Sequence, residues 1–130
     1  LPAVIYKVHQ AVTNGCDTIE VWGSGKVRRE FMYAGDLADC LWRSIECFDS
    51  VPDIMNVGLG TDAAIIDYYN AVASVIGFDG RGVHDMDKPE GMAQKLVCVD
   101  RLQSWGWRAQ TSLIDGIRKT YQYYLEGLDS

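Results

Sequence analysis

The sequence predicts an α/β fold, in the form of a small α+β domain, and three observations carry that prediction. Apolar residues recur at helical spacing in four separated stretches. Short apolar or alternating runs of four to six residues lie between those stretches. Glycine, proline and Asx punctuation separates one kind from the other. Helices and short strands therefore alternate, as they do in α/β and α+β domains. A chain of 130 residues with 48% hydrophobic residues can bury one modest core. A net charge of −6 speaks against a nucleic acid or an anionic membrane as partner, because either needs a broad basic face. No run approaches the roughly 20 apolar residues that span a bilayer, and nothing resembles a signal peptide.

In chain order, Val4, Ile5, Val8, Ala11 and Val12 form the stripe of a first helix over residues 1–13, which Asn14-Gly15 ends. Ile19 to Trp22 reads as a strand, and Arg28 to Tyr33 as a second extended run. From Asp36, taken as an N-cap, Leu37, Cys40, Leu41, Ser44, Ile45 and Phe48 mark a second helical face. Ile54 to Val57 reads as an apolar strand ending in Gly58-Leu59-Gly60. A third helix runs from about Ala64 to Ile76 and stops at Gly77, with Asp62 as the nearest capping side chain. Arg81 to Asp85 is a candidate strand, Met86 to Gln94 a loop, and Leu96 to Val99 an alternating strand. Asp100 caps one helical turn over Arg101 to Trp105. Ser112 followed by Asp115 opens the final helix, a capping box with Asp in place of Glu.

The stretch richest in chemistry is Trp22 to Asp36, WGSGKVRREFMYAGD. A Gly-Ser-Gly turn lets backbone approach a ligand, and Lys26, Arg28 and Arg29 follow it. An arginine fork grips phosphate oxygens at two points, so the set suits an anionic ligand with a flat ring. The competing reading is an ordinary hairpin with solvated charges. Cys16, Cys40, Cys47 and Cys98 form no Cys-x-x-Cys pair, and neither histidine stands at ligand spacing. They read as buried, inert thiols in a reducing cytoplasm, with Cys40 and Cys47 on one helical face. His84 has no base, nucleophile or metal partner nearby in sequence and reads as a strand or surface residue.

Three pieces coincide with one family. VWGSGKVRREFMYAGDLADC resembles the glycine turn, Arg-x-Phe and helix start of the extended short-chain dehydrogenase/reductases. INVGLG resembles the strand that follows, and KPEGMAQKLVCVDRLQSWGW the Lys-Pro-acid-Gly loop and Trp-Gly-Trp turn. LPAVIYKVHQA and SLIDGIRKTYQYYLE are similar to the flanking helices of those members that act on GDP-linked sugars.

The resemblance implies a GDP-sugar substrate bound by Lys7, Trp22, Arg29, Glu90 and Lys95, with Arg29 on the diphosphate side. It implies an NADP(H)-dependent parent enzyme that epimerises a GDP-4-keto-6-deoxyhexose and reduces its ketone, as a homodimer. Lys7 replaces an arginine of the family and Glu90 an aspartate. Ala64 replaces a helix-capping threonine, while Gly82 and His84 replace bulkier apolar residues. No Gly-x-x-Gly-x-x-Gly turn and no Tyr-x-x-x-Lys pair occurs in the 130 residues. Residues 1–130 are therefore expected to be the C-terminal, substrate-binding portion of a longer enzyme, inactive alone, with the dinucleotide-binding half outside it. Another sugar-nucleotide epimerase, reductase or dehydratase remains open at this point. So do a non-catalytic nucleotide-sugar or protein-binding domain and a purely structural one.

Overall fold

Two small sheets and five α-helices make up the computed structural model, which describes residues 1–128. Helix α1 (Pro2–Thr13) begins on a proline, whose missing N–H costs nothing in a first turn. It buries Ile5, Val8 and Ala11 and leaves Val12 exposed. Strand β1 (Thr18–Trp22) alternates strictly, with Ile19 and Val21 inward and Thr18, Glu20 and Trp22 outward. It pairs in parallel with β4 (Arg81–Asp85), Thr18 opposite Arg81 and Trp22 opposite Asp85. In the second sheet β2 (Arg28–Arg29) lies between β3 (Ala63–Ala64), antiparallel to it, and β5 (Gln94–Lys95), parallel to it.

Helices α1 and α5 (Leu113–Glu126) both pack on α3 (Ile65–Ile76). Their shared core contains Val8, Val21, Tyr69, Val72, Phe78 and Ile117. Sealing an isoleucine such as Ile117 away from water contributes about 1.5–3 kcal/mol. Helix α3 ends at Gly77, whose φ of +83° is the left-handed cap that a side chain would strain. A second core joins Cys40 of α2 (Ala34–Glu46) to Val99, Leu102 of α4 (Asp100–Ser104) and Trp107.

Several expectations change. Helix α2 starts at Ala34, so Asp36 is not its N-cap. The Asp36 carboxylate instead accepts from Thr111 N (3.1 Å) and Thr111 Oγ1 (2.8 Å), tying α2 to the approach of α5. Ala64 is the N-cap residue of α3, and the side chain that bonds there is Asp67, which accepts the Ala64 N–H at 3.1 Å. Asp62 is engaged elsewhere. Val99 holds the cap position before α4, with Asp100 already helical.

Residues Ile54–Val57 form no strand, because no neighbouring strand supplies a ladder. Asn56 Nδ2 instead donates to the Cys98 carbonyl at 3.0 Å. Beyond Lys95 the expected strand Leu96–Val99 is irregular, and beyond Arg29 so is the run to Tyr33. The carboxylate of Glu30 lies where both runs become irregular. It accepts the N–H of Leu59, of Gly60 (2.7 Å) and of Val97 (3.3 Å), the last a donor that a ladder at Leu96–Val99 would have used.

Of the cysteines only Cys40 is buried. Cys47 lies past the end of α2, so the two do not share a helical face. Most of the expected inner face of α2 is open: Leu37, Leu41, Ile45 and Phe48 are exposed, as are Trp42 and Ile54. The Ser112–Asp115 box is present as read, with Ser112 Oγ accepting Asp115 N at 3.1 Å and donating to Asp115 Oδ2 at 2.6 Å.

Candidate anion and ring site

The site begins where β1 ends. Glycines at 23 and 25, with φ of +65° and +70°, turn the chain back toward β2. A Cβ on Gly23 would run into the Glu90 side chain, so the turn and the loop 86–93 fit only with glycine there. Below the turn, His84 of β4 is exposed and donates Nδ1–H to the Gly23 carbonyl at 2.9 Å, which fixes its tautomer. The strand role read for His84 is therefore right, with this bond added to it.

Trp22 projects outward at the end of β1 and is 52% exposed, enough for a flat ring to lie on it. Its indole N–H donates to Glu20 Oε2 at 2.5 Å. Lys7 reaches from α1 to the same carboxylate (3.3 Å) and to the Glu20 carbonyl (3.2 Å). Its ammonium stands 5.0 Å from the Trp22 ring centroid, and that of Lys88 stands 5.5 Å away. The Trp22 N–H and then Lys7 hold the Glu20 carboxyl below its usual range.

Arg29 and Lys95 are register partners on the parallel strands β2 and β5. Paired residues share a sheet face, so two cations issue side by side. Among the described residues no carboxylate forms an ion pair with either. Like charges at such spacing repel, and a bound anion would turn that repulsion into attraction. Arg29 is also pre-set: Nη1 donates to the carbonyls of Arg28 (2.7 Å) and Met92 (2.8 Å), leaving its other N–H groups available. Its Nη2 lies beside Gly91, where even a Cβ would sit 3.7 Å away, so that side stays open.

The other face of the same strands is closed. Arg28 Nε and Gln94 Nε2 both donate to the Asp62 carboxylate, at 2.7 and 2.5 Å. Arg28 is thus a structural cation, unlike Arg29. The Gln94 amide and then Arg28 keep the Asp62 carboxyl low.

Glu90 spans the two groups, because its Oε1 accepts the Ser24 N–H at the glycine turn. Hydrogen bonds from Ser24 hold its carboxyl below the usual range. The Ser24 amide is therefore occupied and closed to an anion. The fold gathers Lys7 with Trp22 and Arg29 with Lys95, and the loop carrying Glu90 runs between the pairs. Sequence reasoning missed Glu20 and Lys88. Glu20 was visible in principle, standing two residues before Trp22 on the same strand face. Among the described residues, no group of three His, Cys, Asp or Glu could hold a metal ion.

The glycine turn at residues 23–25 does not have the form of a dinucleotide-binding turn. The glycine turn after β1 leads into β2 and not into a helix N-terminus, and Glu90 fills its Ser24 amide.

Residues 1–58 match the model of the NAD dependent epimerase/dehydratase family. The chain is 44% identical over 98% of its length to a GDP-L-fucose synthase of Azorhizobium caulinodans. It is 45% identical over 96% to a GDP-L-colitose synthase of Yersinia pseudotuberculosis. In both cases it spans only about two fifths of the relative, 41%. A GDP-mannoheptose C4 reductase of Campylobacter jejuni, solved with NADP bound, superimposes with a TM-score of 0.79 at 29% identity. That match covers 95% of this chain and 44% of the reductase. By sequence and by fold, the chain is similar along nearly its whole length to part of these GDP-sugar enzymes, and over residues 1–58 to the NAD dependent epimerase/dehydratase family.

Proposed function

We propose that this chain is the GDP-sugar-binding portion of a larger, NADP(H)-dependent epimerase-reductase of the GDP-L-fucose synthase kind. The observation that carries the reading is the cation couple Arg29–Lys95, with which no carboxylate is ion-paired among the described residues, linked through the Glu90–Gly91 loop to the turn that follows the exposed ring of Trp22. A nucleoside diphosphate offers the two complementary parts, an anion and a flat ring. GDP is the nucleotide because both sequence relatives act on GDP-linked sugars by name.

In the parent reaction a ketone acidifies the neighbouring C–H groups, side-chain bases move those protons, and hydride transfer then fixes the product. We assign the proton and hydride steps, and the cofactor, to residues outside this chain, since no Tyr-x-x-x-Lys pair or dinucleotide turn is among the 130. The chain's own task is to hold the substrate by its nucleotide end. Homodimerisation of the parent belongs to this reading. So does a reducing cytoplasm, consistent with four free cysteines of which three are exposed.

Similarity to the colitose synthase is as high as to the fucose synthase, which supports a second reading in which the sugar differs and GDP stays. Titration with GDP and with UDP, followed by backbone amide shifts, tests what the readings share. Shifts with GDP centred on Trp22, Arg29 and Lys95 are expected. Equal responses to both nucleotides, or none in the full-length protein, would overturn the assignment.

A further inference from the structure

Glu20 is the carboxylate that stands against the ring platform. It shares the outward face of β1 with Trp22, and its Oε2 takes the indole N–H and the Lys7 ammonium. We propose that Glu20 selects the base of the bound nucleotide, and that the base it selects is guanine. This rests on the reading that a nucleoside diphosphate binds across Trp22, Arg29 and Lys95.

The argument is one of complementary edges. An ionised carboxylate only accepts hydrogen bonds. Guanine presents two adjacent donors, N1–H and N2–H₂, which a carboxylate can accept as a pair. Adenine places an acceptor at N1, and uracil flanks its single N–H with two carbonyl oxygens, so each would set lone pairs against the Glu20 charge. A base lying on the indole, with its edge toward the indole nitrogen, would meet this carboxylate. The bond to Trp22 already fixes the carboxylate there. Oε1 carries no hydrogen bond among the described residues and takes one guanine donor, and the other takes the place on Oε2 that the longer bond from Lys7 gives up.

The two lysines fit the same picture. Lys7 is tied to Glu20 twice, whereas among the described residues the carboxylate partner of Lys88 is Asp85, at 3.8 Å. A base arriving on the ring displaces the less restrained ammonium of Lys88. That charge is then free to turn toward the diphosphate. Discrimination thus comes from a donor pair that the wrong base lacks and from repulsion of its acceptors.

The test is calorimetric titration of the full-length protein with GDP, IDP, ADP and UDP, for the wild type and for Glu20→Gln and Glu20→Ala. IDP keeps N1–H and lacks the N2 amine, so it isolates one of the two bonds. The wild type is expected to bind GDP several-fold tighter than IDP and at least tenfold tighter than ADP or UDP. Both variants should lose at least tenfold for GDP and bind ADP and UDP more tightly than the wild type does, because the charge that repels their acceptors is gone. Because Glu20 is exposed, the variants should keep the wild-type fold, which amide spectra verify. GDP preference undiminished in both variants would overturn the role of Glu20 while leaving the nucleotide site intact. A wild type that binds none of the four would overturn the site and this inference with it.

Discussion

The phenol of Tyr68 donates to the backbone carbonyl of Arg29 at 2.8 Å, so a buried side chain of α3 fixes the strand that presents a cation of the candidate site. The next residue, Tyr69, does the same for β1, donating to the Glu20 carbonyl at 3.3 Å. Two consecutive tyrosines thus suspend the two halves of the site from one helix. Tyr68→Phe keeps the ring and leaves the Arg29 carbonyl unsatisfied. It should cost about 0.5–1.5 kcal/mol in urea unfolding and weaken GDP binding more than Tyr69→Phe does.

Burial raises the Tyr68 ionisation above the ordinary tyrosine range, and it raises that of Tyr121 likewise. A raised folded value means that the stability is complete below the unfolded value of about 10 and is lost as pH climbs through the folded one. Alkaline melts should show stability falling above about pH 10, with a shallower fall in Tyr68→Phe. An unchanged slope in that variant would remove Tyr68 as the cause.

At the acid end the sign reverses. Asp62 is held low by the Gln94 amide and then by Arg28, and Asp115 by Ser112 and then by Arg118. Their contribution is present above the unfolded value of about 4 and disappears as pH falls through the lower folded values. Asp62→Asn should flatten the acid limb of the stability curve and loosen β2 against β5. Backbone amide exchange at Arg29 and Lys95 measures the second effect.

Glu30 binds three backbone N–H groups from two loops. Glu30→Gln retains the shape, removes the charge and puts a donor where an acceptor is needed. The expected loss is about 1.5–3 kcal/mol, as for charged hydrogen bonds, read as a lower urea midpoint with an unchanged slope.

Arg29→Lys separates charge from fork. It preserves the cation beside Lys95 but cannot brace the Arg28 and Met92 carbonyls in the same way. GDP affinity should fall by about 1–2 kcal/mol, and Arg29→Ala should lower it by about 1.5–3 kcal/mol. Wild-type affinity in Arg29→Ala would take Arg29 out of the site.

How much of this was legible depended on how local the cause was. Helices α1, α3 and α5 declare themselves because one stripe of each, such as Ile5, Val8 and Ala11, is sealed against its neighbours. The Ser112–Asp115 box is equally local. The failures concern partners distant in sequence. Ile54–Val57 has the composition of a strand and no strand beside it. Asp36 and Asp62 look like caps until Thr111, Arg28 and Gln94 claim them. Glu30 sits among charges in Arg-Arg-Glu, where nothing signals that Gly60 and Val97 will enclose it. In the candidate site the residue types were readable from the chain, while the pairing of Arg29 with Lys95 needed the register of two strands only two residues long.

The parallel pairing of β1 with β4 also sets the order in which the molecule can be built. Thr18 cannot meet Arg81 until the whole of α2 and α3 has been synthesised, because Trp22 finds Asp85 only across that interval. At about 5–20 residues per second, the nascent β1 waits for several seconds with both edges unpaired. Ile19 and Val21 have no finished core to enter during that time. The glycine turn of the candidate site is bonded to β4 through Gly23, so that site is assembled only after this long loop closes, and ligand competence should be among the last properties acquired in folding.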